Sequence, residues 1–80
     1  MVNSFVMVDT KTSLSSAELK EALMSKVHLT NAKQIVLAVH HQTAIVHIGA
    51  NSTADLSNAL IAFSKFSGVT AVVPFKIENL

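Results

Sequence analysis

The sequence predicts an α+β domain in which two helices cover one side of a four-stranded antiparallel sheet. Four apolar stretches have the length and composition of β-strands: Ser4–Thr10, Lys33–His40, Thr43–Gly49 and Thr70–Ile77. Two segments with helical periodicity lie between them, so the order is strand, helix, strand, strand, helix, strand. Because two helices cover only one side of such a sheet, the other side is expected to be open.

The first helix is marked by a start signal and by one apolar stripe. Ser15 and Glu18 have the spacing of a capping box, and Leu14 and Leu19 occupy the two positions of a hydrophobic staple. The apolar residues of this segment recur at helical spacing on a single face: Leu19, Ala22, Leu23 and Val27.

The second helix and the last strand are delimited by glycine and proline. The helix is predicted to begin after 51–53, with Asp55 in its first turn, and to end at Gly68, which suits the left-handed residue of a helix terminus. Pro74 cannot donate a ladder hydrogen bond, so the last strand is expected at an edge of the sheet. The apolar stripe of the second helix consists of Leu56, Ala59, Leu60, Phe63 and Phe66.

This order of elements predicts a ferredoxin-like βαββαβ sandwich. With right-handed crossovers the strands take the spatial order 4-1-3-2, which places the last strand at an edge independently of the proline argument. The chain shows no repeat, linker or low-complexity segment, so residues 1–80 are interpreted as one domain.

A hairpin around His41-Gln42 is predicted to join the second and third strands. Since neither residue adopts a positive φ as readily as Asn-Gly, the turn is expected to be longer than two residues. If His40 pairs with Thr43, one face of the hairpin is wholly aliphatic and belongs under the helices: Ile35, Leu37, Val39, Ala44, Val46 and Ile48. The open face then carries Val36, Ala38, His40, Thr43, Ile45 and His47, together with Val72 and Pro74 of the last strand.

An open apolar face of this size is typical of a partner surface, and a second copy of the chain is the expected partner, in a homodimer or a higher oligomer. Half of the residues are apolar and only 14% are charged, against roughly 25% in average soluble domains. This composition fits a subunit with much of its surface in protein contact.

Composition also excludes several classes of function. The six basic residues are lysines spread along the chain, so no basic patch for nucleic acid is expected. The absence of cysteine excludes disulfides and thiolate metal sites, and no apolar run approaches the roughly 18 residues of a membrane span. Because no secretory signal is recognised at the N-terminus, a cytoplasmic protein without a cofactor is expected.

Histidines 28, 40, 41 and 47 are the candidates for metal binding or acid–base chemistry. His40 and His47 lie about 13 Å apart along the predicted face, and His40 and His41 are expected to point to opposite faces, so no metal site is predicted within one chain. A metal site shared across a dimer axis is an open alternative. The histidines are interpreted as interface residues, with a cofactor-free enzyme that uses one of them as a base as an open alternative. The predicted ligand-binding positions are His40, His41, Gln42, Thr43 and His47.

Two segments resemble stand-alone Lrp/AsnC-type effector-binding domains. They are the opening, Met1–Thr10, and the segment Phe63–Val73, in which Gly68-Val69 leads from the second helix into the last strand. The resemblance implies a dimeric α/β barrel made by facing sheets, with amino-acid-like effectors bound between subunits, but without the DNA-binding domain of full-length regulators. The family's hairpin usually carries Gly-x-Tyr-Asp-Leu, whereas this chain has His-Gln-Thr-Ala-Ile at 41–45.

The chain also resembles the NapD-type chaperones of periplasmic nitrate reductase, which share the order of elements and a Gly-Val before the last strand. That resemblance implies a module that binds a basic signal peptide on the open sheet. Asp9 and Glu78 are the acidic residues near the first and last strands that would suit such a peptide. Peptide or protein binding is therefore the alternative to a self-associating effector domain.

Overall fold

The computed structural model describes the backbone of residues 1–79 and the side chains of residues 1–75. Its four strands form one antiparallel sheet in the order β2-β3-β1-β4, and both helices pack against one side of it. This topology confirms the predicted ferredoxin-like sandwich. The elements are β1 (Val2–Thr10), α1 (Ser16–Ser25), β2 (Ala32–His40), β3 (Thr43–Ala50), α2 (Thr53–Ser64) and β4 (Val69–Asn79).

Both helices begin at a serine that caps free backbone N–H groups. The Ser15 hydroxyl accepts from the Glu18 N–H at 3.2 Å and the Glu18 carboxylate accepts from the Ser15 N–H at 3.0 Å, which confirms the capping box. The hydrogen bond from the Ser15 backbone, and then that of its side chain, lowers the pKa of the Glu18 carboxyl below its usual 4.5. At α2, the Ser52 hydroxyl accepts from the Asp55 N–H at 3.1 Å.

The segment after α2 turns at Gly68, which has the positive φ that was predicted, +91°. The prediction that Gly68 ends the helix is wrong, because α2 ends at Ser64 and Lys65 caps it in the right-handed conformation. The Gly68 carbonyl accepts a hydrogen bond from the Lys11 N–H at 2.6 Å. This contact ties the connection between β1 and α1 to the start of β4.

The core lies between the two helices and the inner face of the sheet. Phe63 of α2 is its largest fully buried side chain, and the predicted stripes of both helices point into it, with Leu60 and Phe66 at its margin. The central strands contribute Val6, Val8, Ala44, Val46 and Ile48, all of them without solvent exposure.

The hairpin between β2 and β3 is tighter than the sequence predicts. His40 pairs with Thr43, so only His41 and Gln42 form the turn, and His41 has a φ of 55°. The prediction of a longer turn is wrong because histidine is among the few non-glycine residues that are enriched in the left-handed region.

A bulge at Leu37 reverses the predicted faces of the first half of β2. Residues 38–40 keep the predicted pairing, but Val36 pairs with Val46, so Leu37 is an extra residue. Val36 is 3% exposed beneath the helices, whereas Ile35 and Leu37 are 55% and 51% exposed. The prediction that Val36 lies on the open face, and Ile35 and Leu37 in the core, is wrong. One extra residue in the strand reverses the alternation of the side chains that precede it.

β4 lies at an edge of the sheet, as Pro74 predicts. Val72 packs against the core and Pro74 pairs with Val6 on the helix side, so their predicted position on the open face is wrong. A register shift next to Val6 leaves Phe75 as an extra residue in β4, and its ring stacks on that of Phe5. The bulge therefore brings an aromatic ring to the open side.

Candidate functional site

Four side chains cross the open face from one edge of the sheet to the other, and we call them the cross-strand row. They are Phe75 on β4, Phe5 on β1, His47 on β3 and Ile35 on β2. The rings of Phe5 and Phe75 stack with centroids 6.1 Å apart, and Phe5 meets His47 edge to face at 5.3 Å. His47 pairs with Ile35 in the ladder. The row is thus a continuous band of apolar surface.

The open face is exposed and nearly free of charge. Phe75 is 57% exposed, and Val73, its neighbour on β4, is 44% exposed. Among residues 1–75, charged side chains occur on this face only at its two ends, with Asp9 at the end of β1 and Lys33 at the start of β2. Between these two ends, the described side chains of the face carry no fixed charge.

One end of the face opens into a cavity of about 740 Å³ beside the hairpin, which we call the hairpin cavity. The Thr43 hydroxyl donates to the Asp9 carboxylate at 2.7 Å, and Gln42 Nε2 donates to the Thr12 carbonyl at 2.7 Å. The Thr10 N–H and hydroxyl both donate to the Gln42 carbonyl, at 2.8 and 2.7 Å. These bonds fix the hairpin against the end of β1.

The structure brings together three of the five predicted ligand-binding residues. His41, Gln42 and Thr43 line the hairpin cavity, while His47 lies in the cross-strand row near the other end of the sheet. The rings of His40 and His41 are only 4.1 Å apart, so the expectation that they point to opposite faces is wrong. The left-handed backbone of His41 turns its ring back toward His40.

Two further charged residues line the hairpin cavity beside the predicted ones, Asp9 and Lys11. Asp9 was expected near the first strand as a contact for a basic peptide, whereas Lys11 was given no role. The ladder pairs Asp9 with Thr43, which places the end of β1 beside the hairpin. Among the side chains that the structure describes, no group of three or more histidines or carboxylates is arranged to hold a metal ion.

A second cavity, of about 430 Å³, lies at the opposite end of the open face. Because three asparagines contribute to it, we call it the amide pocket. The loop residues Asn31 and Asn51 are joined by a hydrogen bond from the Asn51 N–H to the Asn31 carbonyl at 3.1 Å. The described residues that line the pocket are Met1, Asn3, Asn31, Ala32, Lys33, Ile35, His47, Gly49 and Asn51.

Asn3 is the unusual residue of the amide pocket. It is only 9% exposed, and its Nδ2 is buried without a hydrogen-bond partner. A buried donor that loses its partner typically costs about 1–3 kcal/mol. Asn3 pairs with Gly49, where a Cβ would lie 3.3 Å from Asn3 Oδ1. Sequence reasoning missed this site, because the first strand was predicted to begin at Ser4, whereas β1 begins at Val2 and includes Asn3.

The cross-strand row also bears on nucleic-acid binding. RNA-binding domains of related topology stack bases on aromatic side chains of the central strands. The structure places Phe5 and His47 side by side on the two central strands. The case against nucleic acid therefore depends on the absence of arginine and the scattered lysines.

Fold and open face together define an α+β ferredoxin-like domain with one uncovered sheet surface. Comparison with protein-family models, with curated proteins and with solved structures found no match to this chain. None of the helices in the described part of the chain is long and apolar enough to cross a membrane.

Proposed function

We propose that this chain is a non-enzymatic domain that associates with a second copy through the open sheet face and binds a small, amino-acid-like molecule. The observation that carries the proposal is the cross-strand row, an exposed apolar band in the middle of a face whose described side chains carry charge only at its two ends. The resemblance to Lrp/AsnC-type effector domains supports the same arrangement, two facing sheets in an α/β barrel.

The size of the face suits a stable dimer. Four strands about 4.8 Å apart and about eight residues long, at about 3.3 Å per residue, outline a rectangle of about 500 Å². Two such faces bury about 1,000 Å² in projection, and more when the relief of the side chains is included. Specific interfaces bury roughly 1,200–2,000 Å² in total, so one sheet face per subunit is adequate.

The charges at the two ends of the face favour a symmetric pair. A twofold axis in the plane of the interface can place the end of one sheet that carries Asp9 over the end of its partner that carries Lys33. Unlike charges then meet at both ends, while the two cross-strand rows meet in the middle. Such complementarity selects an orientation even where it adds little affinity.

The hairpin cavity supports the small-molecule part of the proposal. Asp9 supplies a carboxylate for an ammonium group, and Lys11 supplies an ammonium for a carboxylate. Both groups line one open cavity, and Gln42 and Thr43 are held there by hydrogen bonds. One acid and one base on a shared surface fit a zwitterion better than an ion of single charge.

Self-association is tested with Phe75→Lys, which places a charge in the cross-strand row. The wild type is expected to sediment as a dimer or larger species at micromolar concentration, and the variant is expected to dissociate at least tenfold more readily because each copy must bury the new charge. Sedimentation velocity over a dilution series measures both.

Ile61→Lys is the matched control, since Ile61 is 50% exposed on α2, on the far side of the molecule. It should leave association unchanged. A wild-type monomer at these concentrations would overturn the proposal and favour the chaperone-like alternative, in which the open face takes a peptide.

Ligand binding at the hairpin cavity is tested by a thermal-shift screen of the natural amino acids. A ligand at 100 times its dissociation constant stabilises the folded state by about 2.7 kcal/mol, which is measurable in a domain of this size. Asp9→Asn is expected to abolish the response of any amino acid that stabilises the wild type. Stabilisation by none of the amino acids would remove the effector function.

A further inference from the structure

We propose that the amide pocket is a second binding site, specific for a small carboxylate with a short apolar body. The class of ligand rests on the small-molecule role proposed above. Because Ile35 and His47 belong both to this pocket and to the cross-strand row, the site lies at the margin of the proposed dimer interface.

The first step of the argument is the side chain of Asn3. It is nine-tenths buried, it lines the pocket, and its Nδ2 has no hydrogen-bond partner. Buried polar groups in native proteins nearly always have a partner, so a specific exception needs an explanation. A rotation of the Asn3 amide that brings Nδ2 to the wall of the pocket lets a ligand oxygen accept the missing hydrogen bond.

The charge of the residues that line the pocket indicates which kind of ligand oxygen binds there. Lys33 is the only charged side chain among the described residues that line it. A carboxylate accepts hydrogen bonds from amides and pairs with an ammonium, and hydrogen bonds to a charged acceptor are stronger than neutral ones. This distinguishes the amide pocket from the hairpin cavity, where Asp9 offers a place for a positive group.

The shape of the pocket sets the size of the ligand. The wall at Gly49 approaches Asn3 closely, since a Cβ there would lie 3.3 Å from Asn3 Oδ1, and Ile35 and His47 also line the pocket. At about 430 Å³ the cavity falls within the range of roughly 300–1,000 Å³ that is typical of small-molecule sites. A molecule the size of phenylacetate fits, with its ring against Ile35 and its carboxylate at Asn3.

The test is a titration of ¹⁵N-labelled wild-type protein with phenylacetate, followed by amide chemical shifts. Saturable shifts are expected at Asn3, Gly49 and the neighbouring backbone. Phenylacetamide has the same shape without the charge and is expected to bind at least tenfold more weakly. Equal binding of the two compounds, shifts confined to the hairpin, or no shifts at all would overturn the proposal.

Asn3→Leu separates a ligand site from a structural role. The variant is expected to lose at least tenfold in phenylacetate affinity while melting at the same or a higher temperature, because it removes an unpartnered buried amide. Retained affinity, or a lower melting temperature, would contradict the assignment. Gly49→Val fills the wall of the pocket and should abolish binding, whereas Gln42→Ala, in the hairpin cavity, should leave it unchanged.

Two further variants address charge. Lys33→Gln is expected to weaken phenylacetate binding severalfold and to leave phenylacetamide unaffected. The ladder pairs Asn3 with Glu78, so Glu78→Gln should bind phenylacetate at least as tightly as the wild type. Weaker binding there would argue against a site for anions.

Sedimentation velocity of the same samples measures their oligomeric state, so that failure of the amide pocket and failure of self-association can be told apart. A dimer without phenylacetate binding overturns the amide pocket alone. A monomer that binds phenylacetate overturns self-association alone.

Discussion

At Gly68 the backbone has a φ of +91°, and a Cβ added there would lie 3.1 Å from the Lys11 carbonyl oxygen. Gly68→Ala is therefore expected to lower the free energy of unfolding by about 1–2 kcal/mol, because alanine is strained in this conformation. Urea denaturation measures the loss. Ser67→Ala, at an exposed neighbour, is the control and should change stability by no more than about 0.5 kcal/mol. Similar losses in the two variants would show that the backbone conformation is not the cause.

Individual residues show which features of the candidate site could be predicted from the sequence and which could not. The positive φ of Gly68 was predictable because few residues adopt one, although Gly68 lies four residues beyond the end of α2. His41 adopts one too, but a histidine carries no such signal, so its two-residue turn and the contact with His40 were not predicted. Asn3 was visible in the sequence, but its lack of a partner depends on distant residues around it.

The extra residue in β2 yields a test at the scale of one element. Deletion of Leu37 is expected to preserve the fold, with a change of about 1 kcal/mol or less, because Val36 stays under the helices and Ala38 stays on the open face. Circular dichroism and urea denaturation measure the result.

The matched control removes Val46 from β3, where the ladder with β1 is regular. That deletion reverses the faces of half a central strand and is expected to unfold the domain. Equal tolerance of the two deletions would contradict the assignment of Leu37 as a bulge.

Helices were predicted more accurately than strands, for a physical reason. Capping and a one-sided apolar stripe are local properties, and both Ser15 with Glu18 and the stripe that includes Phe63 occupy their predicted places. A bulge depends on the match between two strands. The shifts at Leu37 and Phe75 left no local signal, and they decide which apolar side chains face solvent.

Across the whole molecule, the two faces of the sheet differ in what covers them. The inner face packs on the helices through side chains such as Val46 and Phe63, while the outer face holds the cross-strand row and a cavity at each end. That one face would be open and apolar followed from the count of helices and strands. Which residues lie on that face could not be predicted from this count, because Ile35 and Phe75 reach it through bulges.

Pro74 limits the ways in which copies of this chain can join edge to edge. Endless lateral growth would require the outer edge of β4 in one copy to hydrogen-bond to the outer edge of β2 in the next, and proline offers no N–H for that ladder. An interface between two identical surfaces gives a closed dimer, whereas an interface between two unlike surfaces can repeat from copy to copy and produce fibres. A proline at one rim of the sheet therefore favours particles of finite size over filaments.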